Sequence, residues 1–146
     1  MSEYLEMPGH EMCLVCGQEN PTGMQVRWRL ENDLIVGETT LSLPHQGPPG
    51  HVHGGAIAAM LDEAMGFAVG RSGIAGLAAN LDLNYRKPTP LGVPIRAEGW
   101  VVRVEGRKVF TAGRLILLDS ELVAVESTGL YIQPRQFNWT LEISGS

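Results

Sequence analysis

From His53 to Val69 the chain reads HGGAIAAMLDEAMGFAV, and past the opening histidine only Asp62 and Glu63 interrupt an apolar run. Ala, Met and Leu favour helix, and no proline lies between Gly50 and Gly70. A surface helix carries a broad polar stripe, whereas this segment is apolar nearly all round, so the pattern predicts a buried helix. At about 1.5 Å per residue it would run roughly 25 Å. Elsewhere the period is two. Met24 to Leu30 alternates Met, Val, Trp and Leu with Gln, Arg and Arg, the signature of a half-buried strand. Glu31-Asn32-Asp33 reads as a turn and Leu34 to Leu43 as the returning strand of a hairpin. After the helix, Leu77, Ala79, Leu81, Leu83 and Tyr85 alternate with Ala78, Asn80, Asp82, Asn84 and Arg86. Val93 to Glu105, Val109 to Leu118 and Leu122 to Gln133 then predict an antiparallel meander. The charged positions change phase within the first of these, which predicts a β-bulge near Gly99-Trp100.

Two strands, one buried helix and about four more strands, with no βαβ alternation, define an α+β chain. A helix apolar on nearly every side needs a wrapping, and a curved antiparallel sheet of five to six strands provides it. The uncovered edge or face of such a sheet invites a second copy. One domain, residues 1–146, is expected. Residues 1–22 read as irregular, Pro44 to Gly50 as a loop feeding the helix, and residues 134–146 as a loose tail with Phe137 and Trp139 as its packing candidates.

A hydrophobic content of 44% with 18% charged residues describes a folded globular chain. The net charge of −5 argues against a nucleic-acid partner. The longest apolar run is too short, and too acidic at its centre, to span a bilayer. The opening MSEYLEMPGHEM has neither a basic nor an apolar signal region, so a cytoplasmic protein without a membrane partner is expected. Cys13-x-x-Cys16 is half a zinc site, whose other half would have to come from His51 and His53. The spacing favours small packed thiols in a turn instead, and no metal is expected.

Four stretches carry a resemblance: Cys13-x-x-Cys16-Gly17…Asn20-Pro21, Pro49-Gly50-His51-Val52-His53-Gly54-Gly55, Leu61-Asp62-Glu63-Ala64, and Asn84-Tyr85-Arg86-Lys87-Pro88. Together they resemble the hotdog-fold acyl-CoA thioesterases, in particular the phenylacetate-pathway-like branch with its His-Gly-Gly motif. The resemblance implies hydrolysis of an acyl-CoA, with Asp62 as general base or nucleophile and the Gly54 amide, with Gly55 beside it, polarising the thioester carbonyl. It implies a homodimer or homotetramer with sites at the dimer interface, where the two central helices lie side by side under one continuous sheet. Coenzyme A enters as part of the substrate, so no further cofactor is implied. Arg86, Lys87, Arg107 and Lys108 are the candidates for its phosphates.

The residues fit that chemistry on physical grounds. Unpaired N–H groups and the positive dipole end meet at a helix N-terminus, and glycine lets a carbonyl approach them. A partly desolvated carboxylate is an effective base. Adjacent helical acids point roughly 100° apart, so one at most is expected in a given cleft. Asp62, whose face carries Ala58, Ala59, Met65 and Gly66, is the choice, with Glu63 in support and His53 as a cap. Spacing alone equally allows both acids to pair with buried arginines. Two positions depart from the family pattern. Ala78 stands where relatives carry Ser or Thr, and Gly47, beside Gln46, stands where they carry Asn or Gln. Asn80, on the Ala78 face by period two, and Gln46 are the candidate substitutes. A non-catalytic acyl-thioester-binding protein is the alternative that Ala78 permits. A dehydratase would pair His45 with Glu63, although eighteen residues separate them. A hydratase would need a histidine where Phe67 stands.

Overall fold

A computed structural model describes residues 4–135. The strands are β1 (Tyr4–Leu5), β2 (Arg27–Glu31), β3 (Leu34–Thr40), β4 (Leu77–Tyr85), β5 (Pro94–Glu105), β6 (Lys108–Leu117) and β7 (Leu122–Ile132). Among the described residues one α-helix, α1 (Gly54–Arg71), lies between β3 and β4, preceded by a short 3-10 turn, Leu43–His45. The strands make one antiparallel sheet in the order β1-β2-β3-β5-β6-β7-β4, with α1 against its concave side. This is the hotdog arrangement. The sheet has seven strands rather than five to six, because the segment expected to be irregular contributes β1, paired to β2 through Tyr4↔Arg29 and Leu5↔Trp28. Phe137 and Trp139 lie outside the described residues.

The hairpin forms as its turn residues demand. Asn32 and Asp33 take positive φ of 50° and 65°, the geometry of a two-residue turn matched to strand twist. Strand β2 starts later than the alternation implies because Gln25 also has a positive φ, 58°. Met24 and Val26 are buried, as their phase requires, but their amides bond to Leu14 and Val15 carbonyls of the N-terminal segment. The bulge in β5 falls between Val101 and Arg103, just beyond the expected Gly99-Trp100.

Gly99 has another task. A Cβ there would lie 2.6 Å from Ala64 C and 2.7 Å from Ala64 O, so the absence of a side chain lets the helix backbone settle onto the sheet. Ile57, Met60, Leu61, Ala64, Met65, Ala68 and Val69 fill that contact and are buried. The opposite side of α1, with Ala58, Ala59, Gly66 and Phe67, is only half-buried, so one chain does not wrap the helix as its all-round apolarity predicted. Among the described residues, edge strand β4 pairs with β7 alone and is exposed along most of its length. Among the described residues no helix is long and apolar enough to cross a membrane.

The buried arginine network sits elsewhere than at the helix acids. Glu98, 3% exposed on the outer face of the sheet, accepts from Arg96 Nε at 2.8 Å and Arg114 Nε at 2.5 Å. Among the described residues neither Asp62 nor Glu63 joins an ion pair.

Candidate active site

The first turn of α1 can be accounted for donor by donor. His53, at φ −61° and ψ 134°, is the N-cap, and its Nδ1 accepts the Gly55 N–H at 2.8 Å. The amides of Ala56 and Ile57 reach the His53 carbonyl at 3.0 and 3.3 Å. That leaves the Gly54 N–H without a partner among the described residues. The two glycines therefore differ: Gly54 keeps a free donor, whereas Gly55, expected beside it, has spent its own on the cap. The Tyr85 hydroxyl donates to the Gly54 carbonyl at 2.6 Å and ties the end of β4 to the start of the helix.

Asp62 and Glu63 both line one cavity of about 820 Å³, between α1, the N-terminal segment and the strand pair β4–β7. The cavity extends along the helix and is broad enough to take both directions, which overturns the expectation of a single acid in the cleft. Inside it the two carboxylates have different surroundings. Tyr131, 2% exposed, places its hydroxyl 2.6 Å from Asp62 Oδ1 and 2.8 Å from the Asp62 carbonyl. Burial first, and the Asp62 carboxylate second, push the Tyr131 phenol well above its ordinary 10.0, so it stays protonated and donates. Asp62 Oδ2 has no partner among the described residues, and Asp62 lines the cavity. Glu63 has both oxygens occupied: the Trp28 indole donates to Oε2 at 2.7 Å and the Cys13 thiol to Oε1 at 2.9 Å. Burial first, then Glu63, push the Cys16 thiol upward.

Ala78 itself brings no side-chain hydroxyl to the cavity. Ala78 lines the cavity and is the cross-strand partner of Tyr131, whose phenol supplies a hydroxyl to Asp62. Asn80 does not take that role. A register shift between Ala78 and Asn80 breaks the period of two, so Asn80 pairs with Leu130 and faces a separate pocket with Phe110, Thr111 and Thr128.

Other expected residues lie apart. Gln46 Oε1 accepts the Gly50 N–H at 2.8 Å inside its own loop, outside the cavity. His45 Nε2 is 2.8 Å from the Thr22 carbonyl, to which it donates, so the dehydratase pair with Glu63 does not form. His51 Nδ1 contacts the Pro49 carbonyl at 3.1 Å and His53 caps the helix, so neither meets the cysteines; His10 does, with Nδ1 3.8 Å from Cys16 Sγ. Arg86 pairs with Glu126 and Arg107 with the Gln133 carbonyl, each at 3.0 Å. Arg86 and Lys87 follow the Tyr85 end of β4, whereas Lys108 sits opposite Ile132, beside the Leu77 end, so one chain does not gather the four cations. Tyr131, Tyr85, Trp28 and His10 were not among the expected site residues. For Tyr131 and Trp28 the signal is a buried aromatic body whose polar tip must find a partner, whereas Tyr85 stands in the Asn84-Tyr85-Arg86-Lys87-Pro88 stretch of the resemblance.

A family model described as the thioesterase superfamily matches residues 49–124, just over half of the chain. The mouse (Mus musculus) acyl-coenzyme A thioesterase THEM4 is 38% identical over 88 residues, covering 60% of this chain and 38% of that protein. The chain thus spans about two fifths of the length of the curated relatives it matches. A crystal structure of a thioesterase superfamily protein superposes with a TM-score of 0.79 at 40% identity, over 84% of this chain and 60% of that one. The PaaI protein from the phenylacetic acid degradation operon of E. coli superposes at 0.70, over 76% of this chain and 80% of that one; at 14% identity it shares the fold.

Proposed function

The chain belongs to the thioesterase superfamily, and from that footing we propose that it hydrolyses an acyl-CoA thioester to the free acid and coenzyme A. The observation that carries this reading is the state of Asp62, which lines a large, mostly apolar cavity: one carboxylate oxygen is held by a buried phenol, the other has no partner among the described residues. Asp62 Oδ2 takes a proton from a water, and the hydroxide attacks the thioester carbon. The Gly54 N–H receives the negative charge that develops on the carbonyl oxygen. Collapse of the tetrahedral species breaks the C–S bond, and the departing thiolate recovers the proton from Asp62.

One chain does not bring these two groups to one carbonyl. Gly54 and Asp62 are separated along the same axis by about 12 Å of helix rise, whereas each must come within about 3 Å of the reacting group. The working site therefore pairs Gly54 of one copy with Asp62 of a second, in a homodimer that stands alone or within a tetramer. Two features support this: the half-buried small-residue side of α1 and an edge of β4 that is unpaired among the described residues. Antiparallel pairing of two β4 edges also brings Arg86 and Lys87 of one copy to the end of the sheet where Arg107 and Lys108 of the other lie, two strands in from the β4 edge. That end is a candidate surface for coenzyme A phosphates. The free thiols of Cys13 and Cys16 fit a reducing, cytoplasmic setting.

Steady-state hydrolysis of an acyl-CoA panel, alongside Asp62→Asn, tests the reading. The substitution lowers turnover at least about 100-fold and leaves ligand binding in place. Undiminished turnover contradicts the role of Asp62, and wild-type binding without any turnover identifies a thioester-binding protein instead.

A further inference from the structure

We propose that His10, Cys13, Cys16 and Glu63 bind one zinc ion, which fastens the N-terminal segment to the middle of α1. Each of the four offers one ligand atom, and these atoms lie within 4.8 Å of one another. Three stand at a regular spacing in consecutive turns of one short segment, and the fourth comes from the helix.

The local backbone has the form a metal knuckle needs. The Cys13 N–H bonds to the His10 carbonyl at 3.0 Å and the Gly17 N–H to the Cys13 carbonyl at 3.0 Å. The Val15 N–H points at Cys13 Sγ, 3.4 Å away, a donor suited to a thiolate. A Cβ at Gly17 would fall against the Cys13 backbone, so only glycine permits a turn this tight directly after the second cysteine.

Two of the six ligand-to-ligand distances lie near those of a tetrahedron, and any edge toward the 4.8 Å limit closes by up to about 1 Å on binding. With Zn–S of about 2.3 Å and Zn–N or Zn–O of about 2.0–2.2 Å, ligand atoms sit about 3.3–3.8 Å apart. His10 Nδ1 and Cys16 Sγ are 3.8 Å apart. Cys13 Sγ and Glu63 Oε1, at 2.9 Å, share a proton that the metal would replace, and that edge opens by about half an ångström. The Trp28 indole fixes the other Glu63 oxygen at 2.7 Å, the outer contact that orients a ligating carboxylate.

The donor set selects the ion. Two thiolates, an imidazole and a carboxylate suit zinc and not the oxygen-seeking magnesium or calcium. Four protein ligands close the tetrahedron, so the ion is structural and takes no part in hydrolysis. Its effect is on shape. The His10–Cys16 segment supplies His10, Leu14 and Val15 to the wall of the cavity that Asp62 also lines, and Glu63 is the next residue to Asp62. The metal holds that wall in place, independently of whether the cavity hydrolyses a thioester.

The test is metal analysis of the full chain, purified without a polyhistidine tag from zinc-supplemented culture. About one zinc per chain should survive gel filtration, and Cys13→Ser or Cys16→Ser should fall below about a tenth of that. His51→Ala should keep its full complement. Cobalt(II) exchanged into the wild-type chain should give near-ultraviolet thiolate-to-cobalt charge transfer, which decides the matter even where a cysteine variant fails to fold. Zinc below about a tenth of an equivalent in wild type, a Cys13–Cys16 disulfide in its place, cobalt binding without the thiolate band, or full zinc in Cys13→Ser would each overturn the proposal.

Discussion

The Tyr131 hydroxyl lies 2.6 Å from Asp62 Oδ1 and belongs to the residue that faces Ala78 across the β4–β7 ladder. A carboxylate held at one oxygen presents the other in a fixed direction, which is what a base needs to aim a water. Tyr131→Phe keeps the ring and deletes only that contact. It should lower kcat about 10- to 100-fold with KM nearly unchanged, because the phenol acts through Asp62. Restoring a hydroxyl with Ala78→Ser in the Tyr131→Phe background should recover part of the loss, while the same change in wild type should do little. Equal losses in kcat and in thermal stability, with no rescue, would mark Tyr131 as a packing residue.

Gly54→Pro isolates the free amide at the start of the helix. Proline is tolerated at the first helical position, and His53 at ψ 134° already has the extended conformation that a following proline requires. The variant should keep its fold while kcat falls about 100- to 1,000-fold, the usual cost of one lost oxyanion donor. Circular dichroism and steady-state kinetics read the two halves of that statement. An unfolded variant would leave Gly54→Ala, which retains the N–H, as the comparison: full activity there supports the amide, and a loss of about 100-fold or more in a folded chain refutes it.

Gly99→Ala should be costly for its size. The added methyl would lie 2.6 Å from the Ala64 backbone, which has no rotamer by which to move aside. A loss of about 2–3 kcal/mol in urea unfolding is expected, at the upper range for overpacking by one carbon. A loss under about 0.5 kcal/mol would mean that α1 does not rest on Gly99.

The pH dependence of stability follows from the tyrosines. Burial, and for Tyr131 also Asp62, raises the folded-state values of Tyr131 and Tyr85 above the ordinary 10.0. Folded chains then hold protons that unfolded chains release, so the stability these groups contribute is complete below pH 10 and is lost as pH climbs beyond it. Chemical denaturation from pH 8 to 11 should fall more steeply in wild type than in Tyr131→Phe. Parallel slopes would show that the phenol is not perturbed.

The helix and the hairpin are legible in the sequence because their signals are local. Gly-Gly after His53, an apolar run without proline, and Asn32-Asp33 between alternating strands each act within a few residues. That Asp62 and Glu63 meet different partners is in keeping with the divergence of adjacent helical acids, although both line one cavity. What escaped depends on pairing across the chain. The reach of Tyr131 needs the β4–β7 register, and the flip of Asn80 needs a bulge that an Ala-Ala-Asn stretch does not announce. His10 meets Glu63 only once the N-terminal segment has folded back on α1. The expected pair of glycine donors failed for a nearer reason: a histidine cap consumes one amide, and which amide follows from the cap's rotamer.

As proposed, Gly54 and Asp62 of different copies serve one thioester. Gly54→Pro and Asp62→Asn chains, each nearly inactive alone, should be co-expressed and assayed as the mixed assembly. A mixed dimer then has one site carrying both lesions and one carrying neither. With random pairing, turnover should return to roughly a quarter of the wild-type value. If both groups act within one chain, every site retains a lesion, and a mixture no more active than its separate variants would contradict the account.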